Sequence, residues 1–435
     1  MSRGGLRLAV PTIARLRASL RSPIFRNSFF LLVRSAVTYA MGFVFWLVVA
    51  RSYAPPDVGI AAAILSTLLL LARAAALGLP TGMLRFLPTG RGKGDLINGA
   101  LTLSAISSSA LGLAFLAGLD VWAAPLAFLR ADLVLVGVVL LSLVFFTLDG
   151  IVDNAFVAAR RADLGLVRIA VFYGLRIPLA VAFAGIGLLG ILGSWVLSLV
   201  LSVAGAAALL PRLYPDFRPA LSLRQFRERE MMGFSLWSYA SGLVAGASNF
   251  LMPLIILNTL GAAGGADASA HFYAAFTIAT FLYAVPTAFS TSLLVEGSHR
   301  DTEYLADVRR TILYSSPLLA LGIAGTVLLG PWLLGLFGSS YASEGYVPLL
   351  ILAAASPLLL ATSVYSTHLR VAKRVKPIFG ISSVAIVAQI VAAYILLPRV
   401  GISGAALAVV ASQSVTLALY AAERVLHGSA VPAAA

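Results

Sequence analysis

Two long apolar segments near the start of the chain, residues 29–49 and 58–84, constrain its fold most strongly. Each is long enough to cross the hydrocarbon core of a bilayer, which takes roughly 20 apolar residues in a helix. Each also contains one arginine, Arg34 in the first segment and Arg73 in the second. Because a charge inside the bilayer is costly, a membrane hairpin with two such cations must either pair them or use them.

The rest of the chain continues this pattern. Hydrophobic residues make up 60% of the sequence and charged residues 11%, whereas soluble domains are roughly 25% charged. Further apolar segments of spanning length lie near residues 97–119, 133–157, 166–186, 189–210, 233–258, 271–294, 311–336, 347–365, 378–397 and 402–422. The sequence therefore predicts an all-α polytopic membrane protein with about 12 transmembrane helices in two six-helix lobes around a central cavity.

The content of cysteine and histidine excludes several classes of site. The chain has no cysteine, and its four histidines are far apart in the sequence. Disulfides, thiol catalysis and cysteine-ligated metal sites are thus excluded, and no metal-ligand spacing is visible. The longest predicted connection, residues 212–232, is too short for a nucleotide-sugar-binding domain. We therefore expect no enzyme activity, no catalytic residue, no metal and no cofactor.

Lysine and arginine are distributed asymmetrically between alternate connections. If the N-terminus is inside, the inside segments hold 25 of the 31 cations. The outside connections hold Arg51, Arg130 and Arg399. The other three cations, Arg34, Arg73 and Arg176, fall within spans, and Arg168, at the start of the fifth span, is counted with the inside segments. This bias predicts a multi-pass protein of the inner (plasma) membrane with both termini cytoplasmic. It also accounts for the net charge of +14, so that no nucleic-acid partner is implied.

Short motifs recur in the same order in the two halves of the sequence. They pair residues 39–44 with 239–244, 158–162 with 371–375, and 190–193 with 401–404. Such repeats predict two similarly oriented lobes related by an axis along the membrane normal.

The predicted domain organisation follows from these repeats. It comprises a cytoplasmic basic arm (residues 1–27), an N-lobe of helices 1 to 6 (residues 28–211), a cytoplasmic linker (residues 212–232), a C-lobe of helices 7 to 12 (residues 233–424) and a cytoplasmic tail (residues 425–435).

Two segments resemble a known family of transporters. They are residues 49–60 (VARSYAPPDVGI) and 76–86 (ALGLPTGMLRF). The chain resembles the lipid-linked oligosaccharide flippases, the polysaccharide and O-antigen branch of the MATE-like multidrug/oligosaccharidyl-lipid/polysaccharide exporter superfamily. The resemblance implies a flippase that moves polyprenyl-pyrophosphate-linked oligosaccharide from the cytoplasmic to the outer leaflet by alternating access, for cell-surface polysaccharide export. It implies an anionic lipid-linked glycan and membrane lipids as partners, and we expect a monomer.

The charged residues inside the spans are the candidate site. Arg34, Arg73 and Arg176 all fall in the first lobe and in the inner half of the membrane, where forked guanidinium donors suit a pyrophosphate. Asp149 and Asp153 lie one helical turn apart and are candidates for ion coupling or for salt bridges. Two interpretations stay open at this point, because the arginines either bind the substrate or only neutralise these aspartates.

Two other functions compete with the flippase. A cation-coupled multidrug exporter of the same superfamily would use acidic residues in its cavity, whereas the predicted cavity has more arginines than aspartates. A membrane polyprenol-linked sugar transferase is the enzyme alternative, and the outer connections lack the cluster of carboxylates that it would need.

Overall fold

The computed structural model describes residues 23–88, 92–222, 239–240, 242–244, 246–247, 250–297, 304–372 and 374–427. Residues 1–22 of the predicted basic arm, residues 223–232 of the predicted linker and the beginning of the seventh predicted span lie outside the described residues. We call residues 23–222 the first half of the molecule and residues 239–427 the second half.

Eleven long helices form the described part of the molecule. They are α1 (Pro23–Ser52), α2 (Pro55–Ala75), α3 (Lys93–Ala117), α4 (Leu133–Ala158), α5 (Ala162–Ala182), α6 (Leu188–Ala207), α7 (Met252–Gly297), α8 (Tyr304–Gly335), α9 (Ser339–Val371), α10 (Val375–Val400) and α11 (Ile402–His427). Shorter helical segments are Leu79–Phe86, Leu119–Trp122, Ala124–Arg130, Ala184–Ile186 and Leu210–Leu213. No strand occurs among these residues. All eleven long helices contain a segment long and apolar enough to cross a membrane, which confirms the all-α polytopic fold.

Helix α7 folds back on itself. Gly261, with φ 78° and ψ 172°, interrupts its helical conformation. The side chain of Ser269 then reaches back to the carbonyl of Pro253, 3.4 Å away, which joins the two arms of a tight hairpin. The sequence placed a connection at residues 259–270, but the turn is confined to the neighbourhood of Gly261, and Ser269 is buried. Glycine permits this turn because it adopts positive φ without strain.

The repeat that links the ends of the two halves is present, although its register differs from the sequence match. Gly187 precedes α6 with φ 57° and ψ −139°, and Gly401 precedes α11 with φ 59° and ψ −146°. In each case the amide of the glycine three residues later donates to that glycine's carbonyl, Gly190 to Gly187 at 2.8 Å and Gly404 to Gly401 at 2.9 Å. Gly190 is therefore the counterpart of Gly404, and the pairing of residues 190–193 with 401–404 was wrong by three residues.

The end of the molecule that contains the turn between α1 and α2 is its outer end in the predicted topology, and the end where α4 stops and α5 starts is its inner end. At the outer end α2 packs closely along α7. A Cβ atom on Gly59 would lie 1.8 Å from the carbonyl oxygen of Ala266. The hydroxyl of Ser269 donates to the carbonyl of Gly59 at 3.3 Å. The two halves therefore meet backbone to backbone at the outer end.

The motif at residues 49–60 builds this outer contact. Arg51 donates to the last carbonyls of α8, those of Leu336 at 2.5 Å and Gly335 at 2.9 Å. Tyr53 donates to the carbonyl of Ala180 at 2.6 Å. A cation at a helix C-terminus satisfies carbonyls that have no partner within the helix. Residues 49–60 thus join helices at the outer end and do not line the cavity, whereas Ala76 and Pro80 of the second motif, residues 76–86, do line it.

Candidate functional site

A cavity of about 820 Å³ lies between the two halves. Residues from α1, α2, α4, α5 and α6 form one wall, and residues from α7, α9 and α11 form most of the other. Aromatic contacts close it toward the outer end, where the rings of Trp46 and Tyr273 are 4.6 Å apart and those of Phe43 and Phe337 are 5.3 Å apart. Arg73, nearer the inner end, is exposed. The cavity is therefore closed toward the outer end, and its exposed arginine lies toward the inner end.

All five charged residues singled out in the sequence line this one cavity, namely Arg34, Arg73, Asp149, Asp153 and Arg176. The structure adds a sixth, Arg168, a residue that belongs to the inside segments in the count of cations. Arg168 is 6% exposed and belongs to α5. Its position eight residues before Arg176 places both side chains on the same face of that helix, a spacing visible in the sequence.

Four of these residues form a compact ionic cluster. Arg168 binds Asp153 with two hydrogen bonds, from Nε and Nη2, both 2.9 Å long. Arg34 also pairs with Asp153, and Arg168 also pairs with Asp149. The fork geometry of a guanidinium on a carboxylate gives such a pair strength and a fixed orientation. Arg34 and Arg168 are thus largely neutralised by the two aspartates.

Arg176 has different surroundings. It is 1% exposed and lies among four aromatic rings, with its Cζ 3.8 Å from the ring centre of Phe45, 4.1 Å from Trp195, 4.3 Å from Tyr173 and 4.7 Å from Phe172. Rings at this distance attract a cation through their negative faces. Among the described residues no carboxylate pairs with this arginine, and its Nε and Nη2 have no hydrogen-bond partner. The four rings thus form an aromatic cage that stabilises the charge of Arg176, while two of the arginine's donor atoms remain without an acceptor.

Arg73 is the other cation of the cavity without a carboxylate partner among the described residues. Its Cζ lies 4.9 Å from the ring centre of Phe250 in the second half. Tyr239 donates to the carbonyl of Arg73 at 2.8 Å and also contacts that of Ala74. Because the side chain is exposed to the cavity, its guanidinium remains available to an anion that enters from the inner end.

The wall formed by the second half has no charged side chain among the described residues that line the cavity. It presents hydroxyl, phenol and amide groups, those of Tyr273, Thr277, Thr280, Tyr283, Thr287 and Gln413. Tyr283 is tied to α9 through a 3.0 Å hydrogen bond to the carbonyl of Leu352. The cavity therefore has one cationic wall and one neutral polar wall, in the asymmetric arrangement that the sequence predicts.

Comparison with known proteins finds no relative by sequence and several solved structures with the same architecture. No protein-family model matches the chain, and no curated protein matches it in sequence. Solved structures do match in shape. The lipid II flippase MurJ, in an inward closed conformation, gives a TM-score of 0.73 at 11% identity, over 91% of this chain and 87% of that one.

An inward-facing multidrug resistance MATE family transporter of the MOP superfamily gives a TM-score of 0.66 at 17% identity, over 92% of this chain and 96% of that one. An outward-facing transporter of the same family gives 0.59 at 16% identity, over 95% and 98%. The chain has the fold of these transporters. These likenesses extend over nearly the full length of the chain, so that they cover both of its halves.

Proposed function

We propose that this protein is a flippase that moves a polyprenyl-pyrophosphate-linked oligosaccharide from the cytoplasmic to the outer leaflet by alternating access. The observation that supports this proposal most directly is Arg176, a buried cation with two unused donor atoms that faces the cavity. A buried polar group without a partner is costly, so its retention suggests a partner that the protein itself does not contain. A pyrophosphate oxygen supplies that partner.

The net charge of the cavity favours the same class of substrate. Four arginines and two aspartates line it, and the two aspartates are already paired with Arg34 and Arg168. Arg73 and Arg176 are left to attract an anion, one exposed near the inner end and the other buried deeper. We infer that the pyrophosphate is received at Arg73 and held at Arg176.

The competing multidrug exporter has one observation in its favour, the pair of aspartates inside the cavity. Organic cations need an available carboxylate, whereas Asp153 accepts from two arginines. We propose that these aspartates orient the arginines and take part in ion coupling. We also propose that the protein is not an enzyme. The inner membrane and cytoplasmic termini remain part of the proposal through the positive-inside bias.

The test is the binding of polyprenyl pyrophosphate to the purified protein. Loss of one charge-assisted contact, worth about 1.5–3 kcal/mol, should weaken binding by about ten- to a hundredfold in Arg176→Ala or Arg73→Ala. Lysine at either position should restore part of the affinity, since it keeps the charge and loses the fork. Arg399→Ala is the matched control, because that arginine is exposed and does not line the cavity.

Two results would contradict the proposal. One is unchanged affinity for polyprenyl pyrophosphate in both alanine variants when these are folded normally. The other is tight binding of cationic dyes that depends on Asp149 or Asp153 and is insensitive to the lipid, which would favour the multidrug exporter.

A further inference from the structure

A second, smaller cavity lies within the second half, among α9, α10 and α11, and we call it the recess. Its volume is about 150 Å³, similar to that of an engineered cavity that takes up benzene, a single six-membered ring without substituents. Gln413 and Leu359 line both the recess and the main cavity, so that the two spaces share a wall. The recess is thus placed beside the neutral wall that faces the arginines.

The lining of the recess is rich in hydroxyl groups, those of Thr362, Ser363, Ser366, Ser382, Ser412 and Thr416. Several of them already use their one proton. Ser366 donates to the carbonyl of Ser363 at 2.9 Å, Ser412 to that of Ala385 at 3.0 Å and Thr416 to that of Ser412 at 2.8 Å. Since a hydroxyl oxygen has two lone pairs as well as one proton, these oxygens remain hydrogen-bond acceptors. The recess therefore suits a ligand that brings its own donors.

The charges of the recess decide between the ligands that could supply donors. No carboxylate occurs among the described residues that line it, and Arg370 is one of its lining residues. A metal cation would meet a like charge there and find no anionic ligand. Ile378, Ile386 and Tyr420 add apolar surface. A neutral ring with hydroxyl donors and an apolar C–H face, which is the chemistry of a sugar, fits this combination.

We propose that the recess binds one sugar ring of the lipid-linked substrate while the pyrophosphate lies against the arginines of the opposite wall. This inference rests on the proposed function, and it assigns the selection of the glycan to α9, α10 and α11. The cationic wall recognises the part of the substrate common to all such lipids. The recess recognises the sugar, which differs from one such lipid to another.

Two ligands test the proposal with the purified protein: polyprenyl pyrophosphate without a sugar, and polyprenyl pyrophosphate with a single hexose. Ser363→Leu fills the recess, and Ser363→Ala removes a polar group without adding volume. In Ser363→Leu the affinity for the hexose-bearing lipid should fall about tenfold, as expected for the loss of one or two hydrogen bonds, while the sugar-free lipid binds as before. Ser363→Ala should show a smaller loss with the same selectivity, and retained binding of the sugar-free lipid shows that either variant is folded.

Ser414→Leu is the matched control, since Ser414 is an exposed serine of α11 outside the recess lining. Equal losses for both lipids, or no loss for either, would overturn the recess as a sugar site. So would sodium-dependent binding that disappears in Ser363→Leu, which would make the recess a cation site. Failure of the unaltered protein to bind either lipid would instead refute the proposed function.

Discussion

Replacement of Gly59 by alanine should open the outer end of the molecule. The added Cβ would lie 1.8 Å from the carbonyl oxygen of Ala266 and 2.9 Å from the backbone nitrogen of Ala270. Both atoms belong to the backbone of α7, so no side chain can move aside to make room. Since ordinary contacts of this kind are about 3.4 Å or more, α2 and α7 must separate by roughly 1.5 Å.

The size of the effect follows from the cost of overpacking a close contact, about 1–3 kcal/mol. That cost applies only while the outer end is closed, so the closed state should lose about five- to 150-fold in population relative to the open one. A weaker helix cannot explain the change, because alanine in a helix interior is more favourable than glycine by about 1 kcal/mol. Gly137→Ala is the control, since nothing lies within 4 Å of its added Cβ.

The absence of native cysteine gives a direct assay. Ser66 lines the cavity on α2, is 2% exposed and lies two helical turns from Gly59. A cysteine at this position should react with a membrane-impermeant maleimide added outside intact cells only when the outer end opens. Gly59→Ala should raise its labelling rate about five- to 150-fold, and Gly137→Ala should leave it unchanged. A rate in Gly59→Ala equal to that of the control would refute the argument that this contact holds the outer end closed.

Two further predictions concern the ionic cluster and the topology. Asp153→Asn leaves Arg168 without its bidentate partner and should cost about 3–5 kcal/mol of stability, with part recovered in a double variant with Arg168→Gln. Asp149→Asn, which keeps that pair, should cost less, and thermal unfolding of the purified variants would show whether this order holds. For topology, a single cysteine at Ser340 should label from outside intact cells and one at Ser222 should not; the reverse pattern would overturn the predicted orientation.

The fold and the charge asymmetry could be predicted from the sequence because both depend on local patterns. Apolar runs of spanning length are visible one at a time, and Asp149 and Asp153 share a helix face by their spacing alone. That all charged residues lining the cavity fall in the first half is likewise a matter of reading positions. The sequence therefore indicates five of the six charged residues that line the cavity, all except Arg168.

The partners of these residues could not be predicted, since they depend on how distant helices pack. Arg34 pairs with Asp153 across 119 positions of sequence, and the aromatic cage of Arg176 draws on α1, α5 and α6. The turn conformation of Gly187 could not be predicted either, for a related reason. Its positive φ leaves no pattern in the sequence beyond glycine itself, and the match to Gly401 was made on the neighbouring Gly190 instead.

The count of charges in the cavity has a consequence for the energy source of transport. Four arginines and two aspartates give the empty cavity two net positive charges, and a pyrophosphate that links a lipid to a sugar has two negative ones. With the proposed substrate bound and no coupling ion present, the cavity would be electroneutral. A membrane potential acts on an uncompensated charge with about 2.3 kcal/mol per 100 mV, so it neither drives nor opposes the movement of the loaded site. In the proposed cycle it would act on the return of the empty, positively charged site, which an inside-negative potential would draw back toward the cytoplasm.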